Sequence, residues 1–106
     1  MKLENIEELK ELDKKRSEII DRIKSVKEIS RKAGYDVTFL FKTQIEFIFE
    51  SESTCTRYES IRSYPNGKKD KYHDMNVNCI KTVLHMVENC LNEQLKMIED
   101  DIKALK

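Results

Sequence analysis

Tryptophan is missing from this chain, proline occurs once and glycine twice in 106 residues. So few breakers exclude a fold of many short strands and tight turns, and leave room for long uninterrupted elements. Long apolar runs are missing as well. No stretch approaches the roughly 18 consecutive apolar residues of a membrane-spanning helix, and Glu4 interrupts the first residues where a secretory leader needs an apolar run. Net charge is absent too: Lys+Arg and Asp+Glu both count 20. No overall field therefore draws nucleic acid or an anionic membrane, and any electrostatic function has to be local. The three cysteines, Cys55, Cys79 and Cys90, are odd in number and follow no disulfide or zinc spacing. They are expected to be small core or boundary residues of a soluble, cytoplasmic protein. No phosphate loop, metal motif or nucleophile motif occurs, so the chain is expected to be no enzyme and to carry no cofactor.

What is present is charge and helical periodicity. Charged residues make up 38% of the chain, a share typical of long helices with solvated outer faces. Between residues 77 and 105, Val77, Ile80, Leu84, Val87, Leu91, Leu95, Ile98, Ile102 and Leu105 follow steps of three and four. Such steps keep one stripe on one side of a helix, which no strand period can do. Val83, Met86 and Cys90 widen that stripe in its first half, so the first half is expected to be covered on two sides and the second on one. Leu9, Leu12, Arg16, Ile19, Ile23, Val26, Ser30 and Ala33 keep the same spacing near the amino terminus, with the 3.5-residue repeat of a coiled-coil seam. Helices are expected over 3–33, closed by Gly34, and over 74–105, with Asp74 or Asn76 as N-cap.

Between the helices the period changes. Val37, Phe39 and Phe41, then Ile45, Phe47 and Phe49, alternate with their neighbours in a β-branched and aromatic segment, and Cys55 to Tyr64 reads as a further strand. Pro65-Asn66-Gly67 is the strongest turn signal. The expected fold is α+β: one domain, 1–106, with two long, amphipathic, coiled-coil-like helices flanking a small antiparallel sheet of two or three strands within 35–64. That order of elements resembles small nucleoid-associated proteins whose subunits run helix, three strands, helix, and also the single-hairpin subunits of prefoldin, although the loop residues characteristic of either are missing.

Helices of about thirty residues outrun strands of six to ten, so their apolar seams need covering. The sequence predicts a homodimer held through Leu9, Leu12, Ile19, Ile23, Leu91, Leu95, Ile98 and Ile102. An antiparallel pairing within one chain is expected to bring Glu4, Glu7, Glu8 and Glu11 near Glu99, Asp100 and Asp101.

Two local cationic segments stand out. Residues 14–32 hold eight Lys or Arg against Glu18, Asp21 and Glu28, and residues 56–72 hold Arg57, Arg62, Lys68, Lys69 and Lys71 against Glu59 and Asp70. Tyr58, Tyr64 and Tyr72 are interleaved with the second group, and cations beside flat rings suit phosphates and bases. An anionic ligand would engage Arg57, Tyr58, Arg62, Tyr64, Lys68, Lys69 and Lys71 with Arg31 and Lys32. The competing reading is a solvated helix face and a hairpin blunted by lysines. His85 and Glu88, three apart, have a spacing that metal sites use, but no second pair completes one. The sequence therefore favours a small binding protein acting on a protein partner, in the style of a phage or mobile-element accessory protein that occupies or inhibits a host factor. A nucleotide or nucleic-acid binder is the alternative.

Overall fold

The computed structural model describes residues 2–33, 42–50, 56–65 and 70–106, apart from the side chains of Phe49, Thr56 and Arg57. Four elements occur among them: α1 (Leu3–Lys32), β1 (Gln44–Glu50), β2 (Thr56–Arg62) and α2 (His73–Leu105). The architecture is α+β, with two long helices flanking an antiparallel pair of strands. The expected run Val37, Phe39 and Phe41, the Gly34 helix stop and the Asn66-Gly67 turn lie outside the described residues. The chain forms two compact units, Met1–Glu28 with His85–Lys106, and Ile29–Leu84.

In the first unit the two helical segments run antiparallel. Arg16 Nε lies 3.5 Å from Glu99 Oε1 and Lys27 Nζ 3.7 Å from Glu88 Oε1, so eleven residues forward on α1 match eleven backward on α2. Between these two ion pairs Ile19, Ile23 and Leu91 form a buried cluster, with Val26, Leu95 and Ile98 packed against it. Each side chain so buried contributes about 1.5–3 kcal/mol of transfer free energy. Part of the seam expected to join two chains is thus covered within one, at Ile19, Ile23 and Leu91. Ile102 is buried as well, and Leu9 and Leu12 are half-buried. The register also corrects the expected clash of acidic groups, because Glu99 stands beside Arg16, beyond the acidic first turns of α1. A further expectation fails on the far side of α2, where Met86 and Cys90 are exposed and do not widen the covered stripe.

In the second unit β1 and β2 pair from Gln44↔Arg62 to Glu50↔Thr56. α1 closes at its carboxyl end with an Ala33 N–H bond to Ile29 O (2.9 Å), and Arg31 and Lys32 occupy its last turn, where cations complement the helix dipole. α2 begins at His73, one residue before Asp74 and three before Asn76, the two expected caps. Tyr72 O accepts the Asn76 N–H at 2.9 Å, and the Asp70 carboxylate accepts the Tyr72 N–H at 2.8 Å. Asp74 lies inside the first turn, where its charge still faces the positive end of the helix. Ala33, Tyr64, Val77, Ile80 and Leu84 are the buried apolar residues described in this unit.

Candidate functional site on the sheet

Strand geometry sends alternate side chains to opposite faces. One face carries Gln44, Glu46, Ile48 and Glu50 of β1 with Tyr58, Ser60 and Arg62 of β2, and all seven are exposed. The other carries the directly paired Ile45 and Ile61, both half-buried, together with Phe47 and Glu59. Phe47, at 44%, and Glu59 are exposed too, so the second face is covered only at the Ile45–Ile61 pair, and the first, exposed throughout, is the solvent face. At its centre Ile48 stands opposite Tyr58, and the two remain 53% and 61% exposed. A cross-strand pair of an aliphatic and an aromatic residue normally stabilises a sheet by being covered; here it is left in water.

The other end of the same face is polar. Arg62 pairs with Gln44, and a shallow cavity of about 200 Å³ opens there, lined by Lys42, Thr43, Gln44, Arg62, Ser63 and Tyr64. A second hollow of about 320 Å³ is lined by Ser60, Ile61, Arg62, Pro65 and Asn76, so Arg62 borders both. Tyr58 and Arg62 lie four residues apart on one strand face, a separation of about 13 Å.

A buried polar clasp fixes this end of the sheet to the start of α2. The Thr43 N–H donates to Ser63 Oγ (2.9 Å), and the Ser63 N–H donates back to Thr43 O (2.8 Å). His73 Nδ1 lies 2.6 Å from Ser63 O. A carbonyl can only accept, so Nδ1 carries the hydrogen. The His73 ring also rests against Tyr64, centroids 4.8 Å apart and planes tilted by 39°. Asn76 Nδ2 donates to Arg62 O at 2.9 Å, which ties the last residue of β2 to the first turn of α2. Ser63 and His73 are both buried, and among the described residues no buried side-chain nitrogen or oxygen lacks a partner. This arrangement holds structure and does not activate a nucleophile. His73 bonds the Ser63 carbonyl, while the Ser63 hydroxyl is occupied by a backbone N–H.

Of the side chains expected to meet an anionic ligand, Tyr58 and Arg62 share the solvent face. Arg57 stands opposite Phe49 in the ladder, a position of the other face. Tyr64 lines the cavity beside Arg62, yet its ring is buried against His73 and is not presented for stacking. Lys71 is exposed, with Nζ 5.0 Å from the Tyr72 ring centroid. Arg31 is exposed and Lys32 half-buried at the end of α1. Lys68 and Lys69 lie outside the described residues.

The sequence marks neither Ser63 nor Thr43, and it reads His73 with Asp70 and Asp74 as a polar turn, with general acid–base work as the lesser alternative. No periodic signal marks them, because the clasp joins positions ten and twenty residues apart. Glu88 reaches Lys27 in the first unit, His85 is exposed, and no group of three His, Cys, Asp or Glu gathers among the described residues. Cys79 and Cys90 are exposed thiols, which corrects their expected place in the core or at its boundary; Cys55 lies outside the described residues. No helix among the described residues is long and apolar enough to cross a membrane. No protein-family model, curated protein or solved structure matches the chain, so its resemblance to nucleoid-associated proteins and prefoldin subunits is one of element order alone.

Proposed function

We propose that this chain is a non-enzymatic cytoplasmic binding protein that docks a protein partner on the solvent face of its two strands. The observation that supports this most is the Ile48–Tyr58 pair, two large apolar side chains left open to water at the middle of a sheet face. Exposed apolar groups rimmed by polar ones mark protein contacts, and Gln44, Glu46, Ser60 and Arg62 supply such a rim here. The short, lysine- and glutamate-rich chain suits an accessory protein of a phage or mobile element that occupies a host factor.

The test is quantitative capture from lysate with the wild-type chain beside Ile48→Ser/Tyr58→Ser. A protein retained by the wild type and lost at least tenfold in the double variant is the expected result. Equal recovery of every captured protein by both chains would remove the sheet face from the function.

A second reading rests on the cavity bordered by Lys42 and Arg62, which could hold an anionic group such as a nucleotide phosphate. Binding to DNA, RNA or nucleotides that falls steeply with added salt and disappears in Arg62→Ala would favour it over the first.

A further inference from the structure

The solvent face of the two strands carries charge as well as the Ile48–Tyr58 pair. On β1 the exposed Glu46 and Glu50 stand two residues to either side of Ile48, so the row reads acid, apolar, acid at about 6.6 Å per step. Neither carboxylate has an ion-pair partner among the described residues, and Ser60, directly across from Glu46, is uncharged. Arg62 is the cation that the strands place on this face, at the far end of β2 and about 13 Å along the strand from Tyr58. An open apolar pair framed by uncompensated carboxylates is complementary to an apolar group framed by cations.

We propose that this face binds a short, extended, basic segment of another protein, in which an apolar residue has a lysine or arginine two positions away on either side. The proposal rests on the docking reading above and names the chemistry of the partner. The dimensions fit such a segment. Two strands of seven residues give a face about 23 Å long and 10 Å wide, far short of the roughly 800 Å² per side that a second copy or a folded domain covers in a stable complex. An extended chain repeats its side chains on one side every two residues, about 6.6–6.8 Å, the same step as Glu46, Ile48 and Glu50. Its apolar residue then lies on Ile48 and the exposed Tyr58 ring while its two cations reach Glu46 and Glu50. The same carboxylates repel phosphate, so this part of the face selects against a nucleic-acid strand.

Fluorescence anisotropy of labelled heptapeptides, with the full chain titrated up to 1 mM, tests this. The peptides are Ser-Lys-Thr-X-Thr-Lys-Ser, with X as isoleucine, leucine or phenylalanine, and the same set with glutamate in place of lysine. The expected result is that the lysine set binds about tenfold tighter than the glutamate set, and that its binding weakens from 50 to 300 mM NaCl because the charges are exposed. Glu46→Lys/Glu50→Lys should reverse the preference, and Glu46→Gln/Glu50→Gln should abolish it, with circular dichroism of each variant matching wild type. No binding of any lysine peptide at 1 mM, or a glutamine variant that still prefers lysine, overturns the proposal. Capture from lysate separates this from docking itself. A protein lost with Ile48→Ser/Tyr58→Ser but fully retained by Glu46→Gln/Glu50→Gln would keep the docking face and overturn its basic partner.

Discussion

Replacing His73 with alanine should be among the most damaging single changes in the second unit. The imidazole is buried, donates at 2.6 Å to the Ser63 carbonyl and lies against Tyr64. Losing the donor strands a buried acceptor, at a cost of about 1–3 kcal/mol. Losing the ring contact removes about 0.5–1.5 kcal/mol more, and the space left behind adds a cavity penalty. The expected loss is about 3–4 kcal/mol, a large part of the 5–15 kcal/mol typical of a whole domain. His73→Phe keeps a ring of similar size but no donor, so it should recover roughly half of that loss. Urea denaturation followed by circular dichroism and by tyrosine fluorescence gives both numbers. With a slope of about 1–2 kcal/mol per molar urea, the alanine variant should shift the midpoint down by roughly 2 M or more. If the phenylalanine variant were as unstable as the alanine one, the ring contact would contribute nothing. If both stayed within about 0.5 kcal/mol of wild type, the clasp would not be holding the sheet to α2.

Two further outcomes follow from the first unit. Ile23→Ala, in the buried cluster with Ile19 and Leu91, should cost about 2–5 kcal/mol in the same urea assay, the range for a large-to-small change in a core. Arg16→Ala should cost well under 1 kcal/mol, because both partners of the Arg16–Glu99 pair are nearly half exposed and solvent screens them; a thermal melt at low and high salt that differed by more than a few degrees would contradict this.

The helices are legible in the sequence because a three-four spacing over thirty residues has one physical reading. α1 ends at Lys32 against an expected 33, and α2 starts at His73 against an expected 74. The same spacing marks the seam residues as ones that must be covered, but it cannot say which chain does the covering. Ile19 and Ile23 find Leu91 across their own antiparallel partner. Met86 and Cys90 depart from expectation for a related reason. An apolar side chain three or four residues from the stripe fits its edge in a list of positions, and only the placement of the partner helix shows that the edge is bare. On the sheet, two-residue alternation puts Glu59 and Ile61 together on one face, as the ladder does. The strand expected to run on to Tyr64 stops at Arg62, because Ser63 and Tyr64 turn away into the clasp. Nothing in the composition of Thr43, Ser63 and His73 announces their meeting, since each is an ordinary polar residue whose role exists only once the chain has folded.

The two ion pairs of the first unit advance in step, eleven positions on one rod for eleven on the other. Lengths on the two rods are therefore coupled. Removing a single heptad from one rod alone would slide every aliphatic contact past its mate, while excising seven residues from both, at matching heights, would simply shorten the pairing and keep its register. Any natural change of size in this part of the molecule is thus expected to come as a matched pair of deletions or insertions far apart in the primary structure.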